Sequence, residues 1–384
     1  MAGYKIGNLG YSDVKKYKNL VEMSVRYVEE KNGEKIVLNK GYEKLTPIIF
    51  NDKIKMIVSR VEEVDKHFKK ITIRNEKEQK IALFKPGQYI SITIVLEGKI
   101  MTRIYTIVST IKEARLYEYS FIIEEDNNGK MSDFLYHSLK TGDDLIVSGP
   151  YGDFYYDEIR DKENMICLAS PNGIVPFIAM AENSASGDFN NHMKIFYSAK
   201  TYDELVLIDY LKEIVGRADN VDLYVFLSDE EKKGTIHGVI TEEQIKGIFD
   251  KNCTIYASGE EGFLKYLNKE LDKMKLPKKF IRCNMYKPKC NIKKVKAYLM
   301  TVNVLEEQYQ FPCYNNKTIL EVIEDNNLYI PNRCHIGICG LCKTKLVNGK
   351  VKVVNDRRSQ SDIDSNLICP CSSYPMSDIE ITIK

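Results

Sequence analysis

The residues best placed to do chemistry are cysteines. Ten occur in 384 residues, and five fall in the last 51: Cys334, Cys339, Cys342, Cys369 and Cys371. Three stand in one loop as Cys334-x4-Cys339-x2-Cys342, and Cys371, after 28 intervening residues, is the fourth candidate, with Cys369 beside it. Thiolates in a chain that lacks an export pattern read as metal ligands rather than disulfides. Three ligands in one loop with a distant fourth is the spacing of a [2Fe–2S] cluster. Zinc ribbons instead divide their cysteines between two paired knuckles. Gly337 and Gly340 let the backbone wrap tightly and aim N–H groups at sulfur. Two other constellations carry chemistry. Arg103-Ile104-Tyr105-Thr106 brings a cation, an aromatic ring and a hydroxyl together at a strand end. Gly129-Lys130-Met131-Ser132 is a glycine turn feeding a helix, whose first amides suit a phosphate.

The elements that position these groups change rhythm along the chain. Residues 1–50 form an N-terminal extension with a possible helix over Ser12–Glu30. Residues 51–157 alternate with period two in many short runs, predicting an antiparallel β-barrel. One helix interrupts it from Ser132. Residues 158–286 alternate strand and helix, predicting a doubly wound parallel α/β domain whose ligand sits at the carboxyl ends of its strands. Its helices are expected from about Ile174, Asp203, Thr241 and Glu260. Residues 287–296 are basic and read as a linker. Residues 297–384 hold the cysteines, a helix over Ile319–Asp325 and flanking strands, an α+β unit. The fold class is therefore multidomain.

Several motifs carry a resemblance. The loop C-x-x-G-x-C-G-x-C and the tail Cys371-Ser372-Ser373-Tyr374-Pro375 resemble the plant-type [2Fe–2S] ferredoxin module, a β-grasp fold. That resemblance makes Cys371 the fourth ligand and Cys369 a neighbour. His335 stands where relatives usually have Arg and is read as a surface replacement. Upstream, Pro86-Gly87-Gln88-Tyr89, Arg103-x-Tyr105-Thr106, Gly129-x-x-Ser132 and Gly149-Pro150-x-Gly152-x-Phe154 follow one another as in the ferredoxin-reductase-like flavin and NAD(P) oxidoreductases. The resemblance implies an FAD-binding barrel. In it Arg103 and the turn Gly129, Lys130, Met131, Ser132 hold the pyrophosphate, Tyr105 packs on the flavin, and Thr106 steadies flavin N5 as the one catalytic side chain. It also implies that Gly173, Ser258 and Gly259 approach a nicotinamide nucleotide. Here the chain departs from the family. Ser170-Pro171-Asn172-Gly173 replaces a glycine-richer loop, and Ser258-Gly259-Glu260 replaces Cys-Gly-Pro. Pro171, Asn172 and Glu260 are expected to narrow the cleft. Lys200 is the one basic residue in the loop after the second lobe strand and is followed by Asp203 and Glu204, which favours NADH over NADPH.

The order barrel, nucleotide lobe, cluster domain resembles the NAD(P)H-dependent reductases that include phthalate dioxygenase reductase and the reductases of hybrid cluster protein. It implies an enzyme, an NAD(P)H:acceptor oxidoreductase that passes electrons from NADH through FAD to a [2Fe–2S] cluster and on to a redox protein. The alternatives are an electron-transfer subunit whose lobe no longer binds a nicotinamide nucleotide, and a cluster domain used for docking or sensing. Composition agrees. A net charge of +2 offers no field for nucleic acid, and no apolar stretch is long enough to insert in a membrane. Cytoplasmic location is the expectation. Residues 291–384 carry 12 basic and 10 acidic side chains, so long-range steering of the acceptor should be weak.

Overall fold

The computed structural model describes residues 51–384 except 76–79, 97, 127–128, 189–190, 249–251, 286–291, 293, 333, 338, 355 and 384. The helix expected over Ser12–Glu30 and most of the expected linker 287–296 lie outside the described residues. Among the described residues no helix is long and apolar enough to cross a membrane.

The period-two runs become β1 (Asn51–Asp65), β2 (Phe68–Arg74), β3 (Tyr89–Leu96), β4 (Lys99–Thr106), β5 (Glu118–Glu124) and β6 (Asp144–Tyr151), all paired antiparallel in the order β4-β3-β6-β1-β2-β5. A bridge between Ile107 and Phe121 joins the two edge strands and closes the barrel. Alternation decides which residues fill it. Ile71 and Ile73, Ile90 and Ile92, Phe121 and Ile123, and Leu145 and Val147 are all buried inside. The sequence pattern missed one short helix, α1 (Ile111–Arg115), which is held by a reciprocal cap between Thr110 and Glu113. The helix expected from Ser132 begins two residues earlier, as α2 (Lys130–Asp133), and continues as a wider turn through Ser138.

The lobe carries β7 (Asn164–Ala169), β8 (His192–Ala199), β9 (Val221–Leu227), β10 (Ile236–His237), β11 (Cys253–Gly259) and β12 (Ile281–Met285), all parallel, in the order β10-β9-β8-β7-β11-β12. Helices α3 (Val175–Ala185), α4 (Ile208–Gly216), α5 (Glu242–Ile248) and α6 (Glu261–Lys273) cover both faces. Successive residues of β7 serve different cores. Met165, Cys167 and Ala169 pack with α3 and α4, whereas Ile166 and Leu168 pack with α5 and α6. The winding direction reverses between β7 and β11, which makes their carboxyl ends the binding crevice of such a sheet. Helix α4 starts at Ile208 rather than Asp203. Leu205 and Leu207 turn inward first, Leu207 takes φ 57°, and its amide donates to the Asp65 carboxylate of the barrel.

The last unit pairs β13 (Ala297–Val304), β14 (Glu307–Tyr314), β15 (Thr344–Asn348), β17 (Leu367–Ile368) and β19 (Ile379–Ile383) in the order β14-β13-β19-β15-β17, while β16 (Val351–Val353) pairs with β18 (Ser373–Pro375). Only β13 and β19 run parallel in the larger sheet. Its face grips α7 (Ile319–Asp325), whose Ile319, Leu320, Val322 and Ile323 are buried and whose start is capped reciprocally by Thr318 and Glu321. A short α8 (Gln360–Asp364) precedes β17. This is the β-grasp arrangement.

Candidate functional site

The cysteine loop gathers all five sulfurs expected near it. Cys334, Cys342, Cys369 and Cys371 are buried, and Cys339 is exposed. The Cys342 and Cys371 sulfurs lie 3.4 Å apart. Backbone amides point at sulfur as the glycines predict: Gly337 N donates to Cys371 Sγ at 3.2 Å and Cys339 N to Cys334 Sγ at 3.3 Å. Gly337 and Gly340 have φ of 78° and 69°, which side-chain-bearing residues rarely adopt. Hydrogen bonds from Cys339 and Cys371 hold the Cys334 thiol well below its ordinary range, and bonds from Cys369 and Cys371 do the same for Cys342. A thiolate-rich, amide-lined loop with three of four candidate ligands buried fits a [2Fe–2S] group. Cys369 also touches Cys342, so proximity to one thiol does not exclude it; Cys371 differs in meeting both Cys334 and Cys342.

On β4, alternation puts Arg103 and Tyr105 on one face and Thr106 on the other. Tyr105 lies against Phe121, with ring centroids 5.1 Å apart. Thr106 ends the strand opposite Tyr89. The Arg103 guanidinium donates through one nitrogen to Thr102 O at 2.7 Å and to Glu324 at 3.3 Å. Among the described residues its other edge makes no hydrogen bond, so a two-pronged contact to a phosphate remains open. Met131 is a correction at side-chain level: it is 1% exposed in the barrel core, so only its backbone can serve a ligand. Gly129 stands close to Asp126 and Ser132, whose side chains a Cβ there would meet at 3.2 and 3.3 Å. The motifs at 84–89 and 149–154 hold each other. A Cβ on Gly87 would lie 2.2 Å from Phe154 O, and Gln88 Nε2 donates to Gly152 O at 3.0 Å. An Arg103 with an open edge and a helix start with free first-turn amides are both chemically suited to a flavin phosphate.

Glu324 belongs to α7, 221 residues along the chain from Arg103, so the cluster domain packs directly on the flavin strand. Burial pushes the Glu324 carboxyl up, and Arg103 draws it back. Asn332 Nδ2 reaches Glu324 Oε1 at 3.5 Å. From the barrel, half-buried Tyr89 lies within electrostatic reach of Cys334 and Cys339; desolvation first, and those sulfurs second, push its phenol well above the usual range. His335 is the second correction. It is not a surface replacement: its Nε2 is buried, its φ is 53°, and burial, with Arg103 nearby, pushes the imidazole down to about 3. No sequence periodicity marks Tyr89, Glu324 or Asn332 as members of this seam. For His335 the one signal was its departure from the Arg of relatives.

In the lobe, Gly173, Ser258 and Gly259 meet at the switch point, packed tightly on one another. A Cβ on Gly173 would lie 2.0 Å from Ser258 O, and one on Gly259 would lie 2.4 Å from Ser170 Oγ. Ser258 was expected to face the nicotinamide; it is fully buried, and Asn284 Nδ2 donates to its hydroxyl at 3.3 Å. The two departures from the family pattern bond each other, Asn172 Nδ2 donating to Glu260 Oε2 at 3.1 Å. They form one clasp across the mouth of the crevice.

A closed antiparallel barrel with an arginine anchor, a doubly wound lobe and a β-grasp unit with a four-thiol loop together define a modular flavin and iron–sulfur oxidoreductase. The chain matches the oxidoreductase FAD-binding domain over residues 55–156, the oxidoreductase NAD-binding domain over 168–269 and the 2Fe-2S iron-sulfur cluster binding domain over 302–376. It belongs to the ferredoxin-reductase-like flavin/NAD(P) oxidoreductases with a C-terminal plant-type [2Fe–2S] domain. It is 23% identical over 299 residues to the NADH oxidoreductase HCR of Escherichia coli (strain K12), covering 77% of this chain and 88% of that protein. It is 22% identical over 323 residues to the glycine betaine monooxygenase reductase subunit of Chromohalobacter salexigens, covering 78% and 87%. Among solved structures, phthalate dioxygenase reductase shares the fold with a TM-score of 0.65 at 18% identity, covering 86% of this chain and 98% of that one.

Proposed function

We propose that the protein is an NADH-dependent reductase that delivers electrons singly to a redox protein. FAD supplies the capacity to accept a hydride and release one electron at a time, and the [2Fe–2S] cluster supplies the one-electron outlet. The observation that carries this reading is the seam: Arg103 of the flavin strand bonds Glu324 of the cluster domain, and Tyr89 lies within electrostatic reach of Cys334 and Cys339. Both carriers thus belong to one packed assembly within a single chain.

The chain's own groups hold and orient. Arg103, with the first-turn amides of Met131 and Ser132, binds the flavin pyrophosphate, and Thr106 steadies N5. Cys334, Cys339, Cys342 and Cys371 hold the cluster. Gly173 and Gly259 keep the β7 and β11 ends close enough to present the nucleotide to the flavin. Acidic groups at the ends of β8 and β9 favour NADH: Glu204 accepts from Lys200 N at 3.1 Å, and Asp229 from Ser228 Oγ at 2.6 Å, a poor setting for a 2′-phosphate. Reduced, clustered thiols suit the cytoplasm. The relatives named as oxygenase reductases support an acceptor of that general kind, a separate redox enzyme. The Asn172–Glu260 clasp is the observation favouring the second reading, a lobe that no longer uses a nicotinamide. Anaerobic titration with NADH and NADPH, followed at the flavin and cluster bands, tests both. Bleaching by NADH is expected. Bleaching by dithionite alone replaces the reductase with an electron-transfer subunit.

A further inference from the structure

The seam between barrel and cluster domain turns on one carboxylate. Glu324 stands in the last turn of α7, where the unpaired helix carbonyls favour cations and disfavour a negative charge. Its neighbour Asp325 meets that difficulty locally, bonding Lys317 of its own domain at 2.7 Å. The cation that meets Glu324 is foreign. Arg103 of the flavin strand donates to Oε2 at 3.3 Å, and the carboxylate is largely withdrawn from water, its side chain 12% exposed. A local preference broken in one domain and offset from another calls for a functional reason. The two carboxylate oxygens do different jobs. Oε2 takes a guanidinium nitrogen that also donates to Thr102 O of its own strand at 2.7 Å. Oε1 faces Asn332 Nδ2 at 3.5 Å, and the same amide nitrogen donates to Ile330 O at 3.1 Å, in the segment that reaches Cys334 two residues later. The apolar side of α7 rests on the cluster loop: Leu320 and Ile323 share one core with Cys342 and Cys371. Helix α7 is thus a short strut that lies against β4, with cluster ligands on one side and the flavin anchor on the other.

We propose that Glu324 is the positioning residue that sets the cluster against the flavin, gripping Arg103 of the flavin strand with one carboxylate oxygen and Asn332 of the cluster loop with the other. This rests on the reductase reading above. Domains joined through polar contacts move relative to each other unless something pins them, and this pin ends on the residue that anchors FAD. The step it serves is the passage of one electron from reduced flavin to oxidised cluster. Glu324 gives up and takes up nothing in that step; it acts through the distance between the two carriers.

The test uses the full chain loaded with FAD and cluster under anaerobic conditions. A laser flash generates a deazaflavin radical that puts one electron on the flavin without any nucleotide, and the cluster band then reports its arrival. Wild type is compared with Glu324→Ala, Glu324→Gln and Asp325→Asn. Glu324→Ala is expected to slow the flavin-to-cluster step roughly 10- to 100-fold, the scale of a lost hydrogen bond between charged groups or of about 1 Å of misplacement. Glu324→Gln keeps an acceptor for Arg103 at about half the strength of a charged one, so it should slow the step only about 3- to 10-fold. Asp325→Asn removes the neighbouring surface pair and should match wild type. Two further measurements separate positioning from other causes. The midpoint potentials of flavin and cluster are expected to stay at their wild-type values, and hydrogen exchange of the oxidised protein is expected to quicken in β4 and α7 of Glu324→Ala but not in the lobe. An unchanged flavin-to-cluster rate in Glu324→Ala overturns the inference, even if the seam exchanges faster, and leaves the pair a contact of stability alone. A rate loss matched by a shifted potential, or shared by Asp325→Asn, overturns it as well. A wild type that NADH leaves unbleached overturns instead the function on which the inference rests, and the flash experiment still decides Glu324.

Discussion

Replacing Gly173 by Ala adds one methyl group where the structure has no room for it. The new Cβ would lie 2.0 Å from Ser258 O, 2.2 Å from Ser258 C and 2.6 Å from Gly259 N. All three are backbone atoms of a central strand end, so no side chain can swing aside. Reaching ordinary contact requires the loop to retreat by about 1.4 Å from Ser258 O. That displacement strains the Ser170 N to Ser258 O bond of 3.2 Å, which ties the loop to β11, and the Gly173 N to Ser170 O bond of 2.9 Å. Overpacking costs about 1–3 kcal/mol and each lost hydrogen bond about 1 kcal/mol, so the lobe should lose about 3 kcal/mol. For a lobe of this size that lowers its melting transition on the order of 10 °C. Function should suffer more, because a displacement of about 1 Å near reacting atoms costs on the order of 100-fold in rate. The assays are differential scanning calorimetry and stopped-flow flavin reduction by NADH, with dithionite reduction as the internal reference. Gly262→Ala in α6 is the control: its Cβ meets nothing within 4 Å, and it should be neutral or stabilising by up to about 1 kcal/mol. A Gly173→Ala protein that melts with wild type and is bleached by NADH at the wild-type rate refutes the argument that these two loops are locked backbone to backbone.

Cys371→Ser should lose the cluster and its visible absorbance, while Cys369→Ser keeps both; the reverse result transfers the ligand role to Cys369. Iron analysis of the purified protein should give about two per chain with negligible zinc. Glu260→Gln removes a negative charge at the crevice mouth yet can still accept from Asn172. At about 10 Å and intermediate dielectric the charge is worth roughly 0.5–1 kcal/mol, so the apparent NADH affinity should tighten about two- to fivefold; an unchanged KM places the clasp away from the nucleotide. Asp161→Asn leaves Arg160, Arg282 and Tyr256 around a neutral amide in place of a fully buried carboxylate and should cost about 3 kcal/mol in chemical denaturation.

What was legible in the sequence follows from how local each signal is. The cluster loop and Ile319–Asp325 are set by spacing and caps within about ten residues, and the helix was read to the residue. Barrel strands announced themselves by alternation. The pattern starts helix α4 too early because nothing local shows that Leu205 and Leu207 turn inward before it begins. Pattern presents Asn172 and Glu260 as two separate obstacles, since it cannot reveal that residues 88 apart bond each other. The seam is invisible for the same reason, and nothing local tells that the His335 ring nitrogen Nε2 is buried.

Asp161 has a consequence for how such chains are assembled. It lies on the connection that enters the nucleotide lobe and holds Arg282 at 2.7 Å on β12, the strand by which the chain leaves. Tyr256 of β11, between them, donates to the same carboxylate at 2.7 Å. The lobe is thereby stitched shut at its base like a drawstring bag, while the modules before and after it meet each other across their own seam. Entry and exit thus leave from one point, so the modules before and after the lobe can meet each other, while the lobe stays wedded to the barrel through the core that Phe154 and Tyr156 share with Phe177 and Ile178.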